Sequence, residues 1–275
     1  MPELPEVETV KNGLSPTLKG KTLQRVQILR RDLRITAPAD IETQLKNTTV
    51  TDLTRRSKLL LIHLNHNKTL VFHLGMSGTL TIQPIGTEAR KHDHIIIATS
   101  QAQIHFNDPR RFGFYDLVAS DKLNQQKYII NLGVEPLDPA FTHQMLYNIM
   151  RKRQVNIKQA LMDNSKIVGI GNIYASEILH LAAIHPLAKA HKIRPKQTET
   201  LHKCIIRVLN EAIASGGSSL KDHKQASGKL GYFQHAFKVY GRAGEPCSTC
   251  QNKIEKWLQN GRATFACNVC QKYLQ

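Results

Sequence analysis

The feature that most constrains the fold lies near the end of the chain. CSTC (247–250) and CNVC (267–270) are two Cys-x-x-Cys pairs separated by 16 residues. This spacing suits one metal ion held by four thiolates in a closed tetrahedral shell. A closed shell offers no open position to a substrate, so the expected ion is a structural zinc held by Cys247, Cys250, Cys267 and Cys270. Between the pairs the chain must fold back on itself, and it carries WLQNGRATF (257–265). Asn-Gly flanked by apolar residues signals a two-residue hairpin turn. Arg262 would follow that turn directly, near the tip of a two-stranded ribbon, where an arginine suits phosphate contact. The plainer alternative is a solvated turn residue. Cys204, the remaining cysteine, sits on a helical apolar stripe and is expected in the core.

Upstream, the hydrophobic period changes along the chain. Residues 6–18 read as a helix, with Pro5 at its start, Glu6 and Glu8 in the first turn, and Val7, Val10 and Leu14 at helical spacing. From about 23 to 119 the pattern is β-like. LLLIHL (59–64), TLVFHL (69–74), TLTI (79–82), HIIIAT (94–99) and AQIHF (102–106) are short runs broken by turn residues. Strands at this spacing predict a sandwich or barrel. Beyond about 121, helical spacing recurs over 139–151, 155–163, 173–183 and 196–214. At 275 residues the chain has room for about two large domains. The order is a β domain, a helical domain and a small metal module.

Thirty-eight Lys and Arg oppose 21 Asp and Glu, a formal charge of +17, with a pI near 9.8. Such a balance points to a polyanionic partner, nucleic acid before membrane. No apolar run approaches the ~18 residues a span requires. The opening has acids where a secretory signal would have a basic stretch. Paired cysteines without a disulfide framework fit a reducing compartment, so a cytoplasmic location is expected.

Several stretches could carry chemistry. In DPRRFG (108–113), an extended run after Asp-Pro would put Arg110 and Phe112 on one side and Arg111 on the other. An arginine beside an exposed aromatic is what a DNA wedge needs. HLGMSG (73–78) sets Met76 between glycines, where an apolar tip could be offered. Core positions for Phe112 and Met76 are the alternative. In GNIYASE (171–177) a glycine turn feeds a helix, and Asn172 at its start would help form an anion site or serve as a plain cap. KHDH (91–94), which includes His92, and RKR (151–153), which includes Arg153, are basic runs that could touch phosphate or merely face solvent. Lys58 stands at the mouth of an apolar strand.

The first residues, MPELPEVETV, combine stiffness and acidity at a terminus that is usually mobile. If Met1 is removed, Pro2 carries a free α-amino group. Such groups titrate near pH ~8, against ~10.4 for lysine, so a useful fraction is nucleophilic at neutral pH. An amine attacking a sugar carbon forms a Schiff base. Two prolines would hold that amine in place, and Glu3 next to it could move protons. A proline-capped helix start is the competing explanation.

As a set, MPELPEVET, KHDH, DPRRFG, LMDN (161–164), GNIYASE, VYGRAGEPC (239–247), GRATF (261–265) and the paired cysteines resemble the bacterial formamidopyrimidine-DNA glycosylases over nearly the whole chain. The resemblance implies an α+β multidomain fold. Its parts would be an N-terminal β-sandwich catalytic domain with an N-terminal helix (1–132), a helix–two-turn–helix DNA-binding domain with a lesion-capping loop (133–238), and a four-cysteine zinc finger (239–275). It implies excision of 8-oxoguanine and formamidopyrimidines from double-stranded DNA, cleavage at abasic sites by β,δ-elimination, a monomer, and DNA held in the cleft between its domains. Pro2 would be the Schiff-base nucleophile and Glu3 the general acid/base. Lys58 would assist base loss and β-elimination, and Arg262 would serve δ-elimination and phosphate binding. Met76, Arg110 and Phe112 would fill the space of the flipped nucleotide, with Arg110 bonding the orphaned cytosine. His92, Arg111, Asn172 and Arg262 would grip the backbone, Arg153 would join them in a looser match, and the 216–231 loop would cover the extruded base.

Two rival readings fit the residues less well. The endonuclease VIII type usually begins PEGPE and lacks DPRRFG. A DNA-binding protein without catalysis would have no need of Pro2, Glu3 and Lys58 together.

Overall fold

The computed structural model describes residues 2–218, 226 and 232–274. The chain divides into two units, Met1–Ile130 with Ile213–Gln234, and Asn131–Ala212 with His235–Gln275.

The first unit opens with helix α1 (Leu4–Leu18), which buries Leu4, Val7, Val10, Leu14 and Leu18 along one stripe. Glu3 is its N-cap, and the Glu6 carboxylate turns back to accept from the Glu3 backbone N–H at 2.8 Å. The helix therefore starts two residues before the expected Glu6. One reciprocal bond of the capping-box kind satisfies a donor the first turn would otherwise leave open.

Eight strands follow: β1 (Arg25–Ile28), β2 (Val50–Arg56), β3 (Leu59–Leu64), β4 (Lys68–His73), β5 (Thr79–Gln83), β6 (Asp93–Ala98), β7 (Gln103–Asn107) and β8 (Phe114–Ala119). A short helix, α2 (Ile41–Leu45), lies between β1 and β2. The strands make two four-stranded sheets, ordered β1-β6-β7-β5 and β2-β3-β4-β8, with antiparallel neighbours throughout. All five expected strands are present to within a residue or so. The structure adds β1, β2 and β8. The β2 period is broken by a register shift between Val50 and Asp52, which hides its alternation in the sequence.

The core lies between the two sheets and beneath α1. Leu60, Ile62, Leu70 and Phe72 from one sheet meet Leu80, Ile95, Ile97, Ile104 and Phe106 from the other, with Val7, Val10 and Leu14 of the helix. Phe72 and Phe106 pack edge to face, ring centroids 5.4 Å apart. Each such aliphatic side chain contributes about 1.5–3 kcal/mol on burial. That is ample to fix which face of each strand points inward. Ala226 belongs to this core too, and its carbonyl accepts from Ile82 N at 2.8 Å.

The second unit carries α3 (His143–Arg151), α4 (Ile157–Leu161), α5 (Asn172–Leu181) and α6 (Pro195–Ala214). Thr142 caps α3 and Asn156 caps α4 through their side chains. Cys204 is buried on the α6 stripe, as expected. The hairpin of β9 (Glu255–Gln259) and β10 (Arg262–Ala266) completes the unit. Asn260 (φ 50°) and Gly261 (φ 72°) form its turn, both in the left-handed region that a tight two-residue turn of this hand requires. Ribbon and helices are joined by a carboxylate. Glu177 of α5 accepts from the backbone N–H groups of Lys238, Val239 and Tyr240 at 2.8–3.0 Å.

Candidate functional site

Both residues at the start of the chain are enclosed. Pro2 is buried and Glu3 is 2% exposed. A buried Glu at an N-cap is unusual, since shorter polar side chains serve better there. Helix α1 packs on β2 and β3. The turn between those strands is Ser57–Lys58, with Ser57 at φ 57°. Arg55 fixes this turn to the helix by donating to Glu8 Oε2 at 2.9 Å and to the Ser57 carbonyl at 2.9 Å. Lys58 is 8% exposed, a degree of burial that surface lysines at strand ends do not show. Burial alone would push the Glu8 carboxyl up. Lys11 and Arg55 outweigh it, so Glu8 lies below the usual range and stays ionised.

The second cluster of this unit joins two loops. Met76 is 38% exposed and Phe112 45% exposed, so both are offered to solvent and neither is core. The stretch after Asp-Pro is not extended as expected. It turns, with Arg111 at φ 57° and its N–H donating to the Asp108 carbonyl at 3.2 Å. The predicted side-by-side placement survives, because the Arg110 guanidinium lies over the Phe112 ring, 5.0 Å from its centroid. Arg110 and Arg111 are exposed. A groove of about 870 Å³ runs beside this tip, lined in part by Leu33, Arg34, His73, Met76, Arg111 and Phe112.

His73 lines the groove. Burial, reinforced by the charges of Arg34 and Lys58, lowers it to about 4. Its neutral Nδ1 accepts from Gly75 N at 3.0 Å, and its ring stacks on Phe114 at 5.5 Å. His92 is half-buried at φ 73°, and its carbonyl accepts from Asp108 N.

In the second unit, Arg262 is exposed beside the Asn260–Gly261 turn. Its strand is tied down next to it. The Ala263 carbonyl accepts from Asn172 Nδ2 at 2.9 Å and Lys158 Nζ at 3.2 Å, and Lys158 also donates to Thr264 Oγ1 at 2.7 Å. Asn172 is the first residue of α5, with Gly171 as N-cap. Its Oδ1 is buried with no hydrogen-bond partner among the described residues. Asn156 reaches the hairpin tip through Asn260 at 3.2 Å. Arg153 is engaged within the unit, donating to Asp163 at 2.5 Å. Of the 216–231 loop, only 216–218 and 226 lie within the described residues.

The four ligand sulfurs of Cys247, Cys250, Cys267 and Cys270 lie within 4.8 Å of one another. Cys247 and Cys270 are 3.9 Å apart at sulfur, and Cys250 and Cys267 3.4 Å. A tetrahedral shell with Zn–S near 2.3 Å places sulfurs about 3.8 Å apart, so the cage fits that ion. Hydrogen bonds from the Asn252 backbone and side chain lower the Cys250 thiol, while burial and the neighbouring thiols push Cys267 and Cys270 up.

Sequence reasoning missed four residues of these clusters: Glu6, Ser77 and Asp108 in the first unit, and Lys158 in the second. Glu6 follows the Glu3 cap at the three-residue spacing of a capping box, so that half of its role was available. Asp108 announces only a turn, through Asp-Pro. Nothing in the local pattern marked Ser77 or Lys158.

Residues 1–115 match the formamidopyrimidine-DNA glycosylase N-terminal domain, and residues 132–224 match the H2TH domain of the same enzymes. The chain is 44% identical to the formamidopyrimidine-DNA glycosylase of Ruegeria pomeroyi, over 99% of this chain and 100% of that one. Against the Rickettsia africae enzyme the identity is 43%, over 98% and 99%. Among solved structures, the Lactococcus lactis Fpg in complex with abasic-site DNA aligns with a TM-score of 0.91 at 32% identity, covering 98% of this chain and 99% of that one. The same protein with N7-benzyl-Fapy-dG DNA gives 0.92 at 32% identity, covering 98% and 100%. With both domains matched and relatives aligned end to end, the chain belongs to the formamidopyrimidine-DNA glycosylase family.

Proposed function

We propose that this protein removes oxidised purines, 8-oxoguanine and formamidopyrimidines, from duplex DNA and then cuts the strand by β,δ-elimination. The observation that carries the reading is the enclosed start of the chain. A buried Pro2 and a buried Glu3 stand at the N-cap of a helix braced against the turn that presents Lys58. That arrangement suits an amine nucleophile beside a proton shuttle better than it suits a mere helix cap.

With Met1 removed, the Pro2 nitrogen attacks C1′ of the damaged nucleotide. The N-glycosidic bond breaks and the base leaves with the proton given up by the amine; the C1′–O4′ bond then opens, O4′ taking a proton from Glu3, and C1′ becomes an iminium. Loss of a C2′ proton then expels the 3′ phosphate, and a second elimination expels the 5′ phosphate. Glu3 moves the protons at the sugar, Lys58 assists base loss and the first elimination, and Arg262 serves the second. The target bond cannot be reached inside the duplex, so the nucleotide must be extruded. Met76, Arg110 and Phe112 fill the gap. His92, Arg111, Asn172 and Arg262 hold the backbone, and Arg153 would need to leave Asp163 to join them.

The four cysteines would hold zinc, which when bound supplies the fold of the ribbon and no chemistry. The same reading takes the domain boundaries at 132 and 238, a monomer, and a place in the bacterial cytoplasm beside its DNA. No described helix is long and apolar enough to cross a membrane.

Incubation with a duplex containing 8-oxoguanine tests the reaction. Free 8-oxoguanine and fragments ending in phosphate on both sides of the gap are expected. Intact strand, or an abasic strand left uncut, would refute it.

A further inference from the structure

The three wedge residues come from two loops, and one buried carboxylate connects them. We propose that Asp108 is a positioning residue that locks the Met76 loop to the Arg110–Phe112 loop, so that the tip enters DNA as one rigid body. The proposal rests on the wedge reading above.

Asp108 is fully buried. Its Oδ1 accepts from Ser77 Oγ at 2.6 Å, on the loop of Met76, and from Arg110 N at 3.3 Å. Its Oδ2 accepts from Gly113 N at 2.8 Å, just past Phe112. Arg110 N also reaches Ser77 Oγ at 3.3 Å, so Met76 and Arg110 each adjoin a group tied to the same carboxylate. The backbone of Asp108 is held as well, by the His92 carbonyl on one side and by His94 Nε2 at 2.8 Å on the other.

The loops also touch directly. A Cβ on Gly75 would lie 2.3 Å from Gly113 N, and one on Gly113 would lie 2.6 Å from the His73 carbonyl. No side chain fits at either point, and Gly75 additionally sits at φ +64°. Two backbones in contact and bridged by a carboxylate cannot slide independently. An arginine that must meet a base edge while a methionine and a phenylalanine occupy the stack needs this fixed spacing.

An amide cannot replace the carboxylate. With its NH₂ toward Gly113 it opposes a donor, and with its NH₂ toward Ser77 and Arg110 it opposes another. In the first case the Gly113 N–H loses its acceptor, and in the second the Arg110 N–H keeps only Ser77 Oγ, at 3.3 Å.

The test compares two substrates, a duplex with 8-oxoguanine opposite cytosine and a single-stranded abasic oligonucleotide. The second needs the amine but no wedge. Asp108→Asn should lower kcat/KM on the duplex about 10²-fold, the scale of a ~1 Å misplacement, and leave single-strand cleavage unchanged. Because Arg110 bonds the orphaned cytosine in the wedge reading, the ratio of rates opposite cytosine and opposite adenine should also shift. Ser77→Ala cuts one tie while sparing the Gly113 bond, and should show the same pattern more weakly. That variant keeps the proposal testable if Asp108→Asn fails to fold. A Met76→Ala, Arg110→Ala, Phe112→Ala triple variant is the control. Asp108→Asn and Ser77→Ala both at wild-type duplex activity beside a crippled triple variant would overturn the proposal. So would a parallel loss on both substrates, which marks a general structural role. A triple variant with full duplex activity would instead remove the wedge reading, and the proposal with it.

Discussion

Glu6 holds Ser218 through a single oxygen, Oε1, which accepts from the Ser218 N–H at 2.8 Å and its hydroxyl at 2.9 Å. The other oxygen accepts from Glu3 N at 2.8 Å, beside Pro2. One buried carboxylate thus connects the start of the chain to a residue more than two hundred positions away. Gly217 makes the approach possible, at φ +75° with space for a Cβ only 3.2 Å from Glu6 Oε1.

Glu6→Gln should weaken this connection, because an amide has one acceptor oxygen where two are used. Leaving a buried N–H unpaired costs about 1–3 kcal/mol. A lower melting temperature and slower base excision are expected, with Ser218→Ala milder because the backbone bond survives. Thermal melting alongside an excision assay checks it. A Glu6→Gln protein that melts and reacts like wild type would show the connection to be idle.

Glu3→Gln should separate the two reactions. Releasing the base requires proton transfers at the sugar, and an amide cannot perform them. General acid–base help is typically worth ~10²–10⁴-fold. A preformed abasic site already lacks its base and opens to an aldehyde that an amine attacks unaided. The variant should therefore lose most 8-oxoguanine excision while still cutting abasic DNA. Equal losses on both substrates would assign Glu3 to the amine or to the fold.

These two acids mark where the sequence was readable and where it was not. The β3–β7 strands announced themselves by apolar runs between turn residues, and α1, α5 and α6 by helical spacing. The Asn-Gly turn and the cysteine pairs were equally plain, because each is a local rule acting over a few residues. Glu3 stands out in the sequence beside Pro2 and Pro5, while its burial at the N-cap comes only with the fold. Glu6 was legible only as a residue of the first turn, since its partner Ser218 is brought to it by the fold. Asp108 and Lys158 were opaque for the same reason. Asp108 acts on Ser77, 31 residues earlier, and Lys158 acts on Ala263 and Thr264, over a hundred residues later. The bend at Arg111 was missed because Asp-Pro fixes where a turn begins and not how the next residues leave it.

Cys247→Ser should unfold the ribbon locally. The residue is fully buried in the small cluster with Val239, Ile254, Phe265 and Cys267, and a serine is a poor zinc ligand there. Zinc content measured by atomic absorption should fall, and DNA affinity should fall with it as the β9–β10 tip carrying Arg262 loses its support. Full metal content or undiminished affinity would contradict the assignment.

Stability should depend on pH through His73. In the folded protein burial and the nearby cations hold it to about 4, whereas its ordinary value is 6.5. Between these values the unfolded chain binds a proton that the folded chain refuses. Stability therefore rises as pH increases from about 4 to 6.5, and this contribution is flat above that window. Melting temperatures across the range should show the slope, and His73→Gln should flatten it. An unchanged slope in the variant would place the titration elsewhere.

Borohydride trapping decides whether Pro2 is the nucleophile. The full-length enzyme is incubated with an 8-oxoguanine duplex in the presence of borohydride, which reduces the Schiff base to a stable amine. The adduct is then digested and sequenced by mass spectrometry. Met1 should be absent and the DNA remnant should be carried on the nitrogen of Pro2. An adduct on Lys58 or any other lysine, or a trapped chain that still begins with Met1, would contradict it.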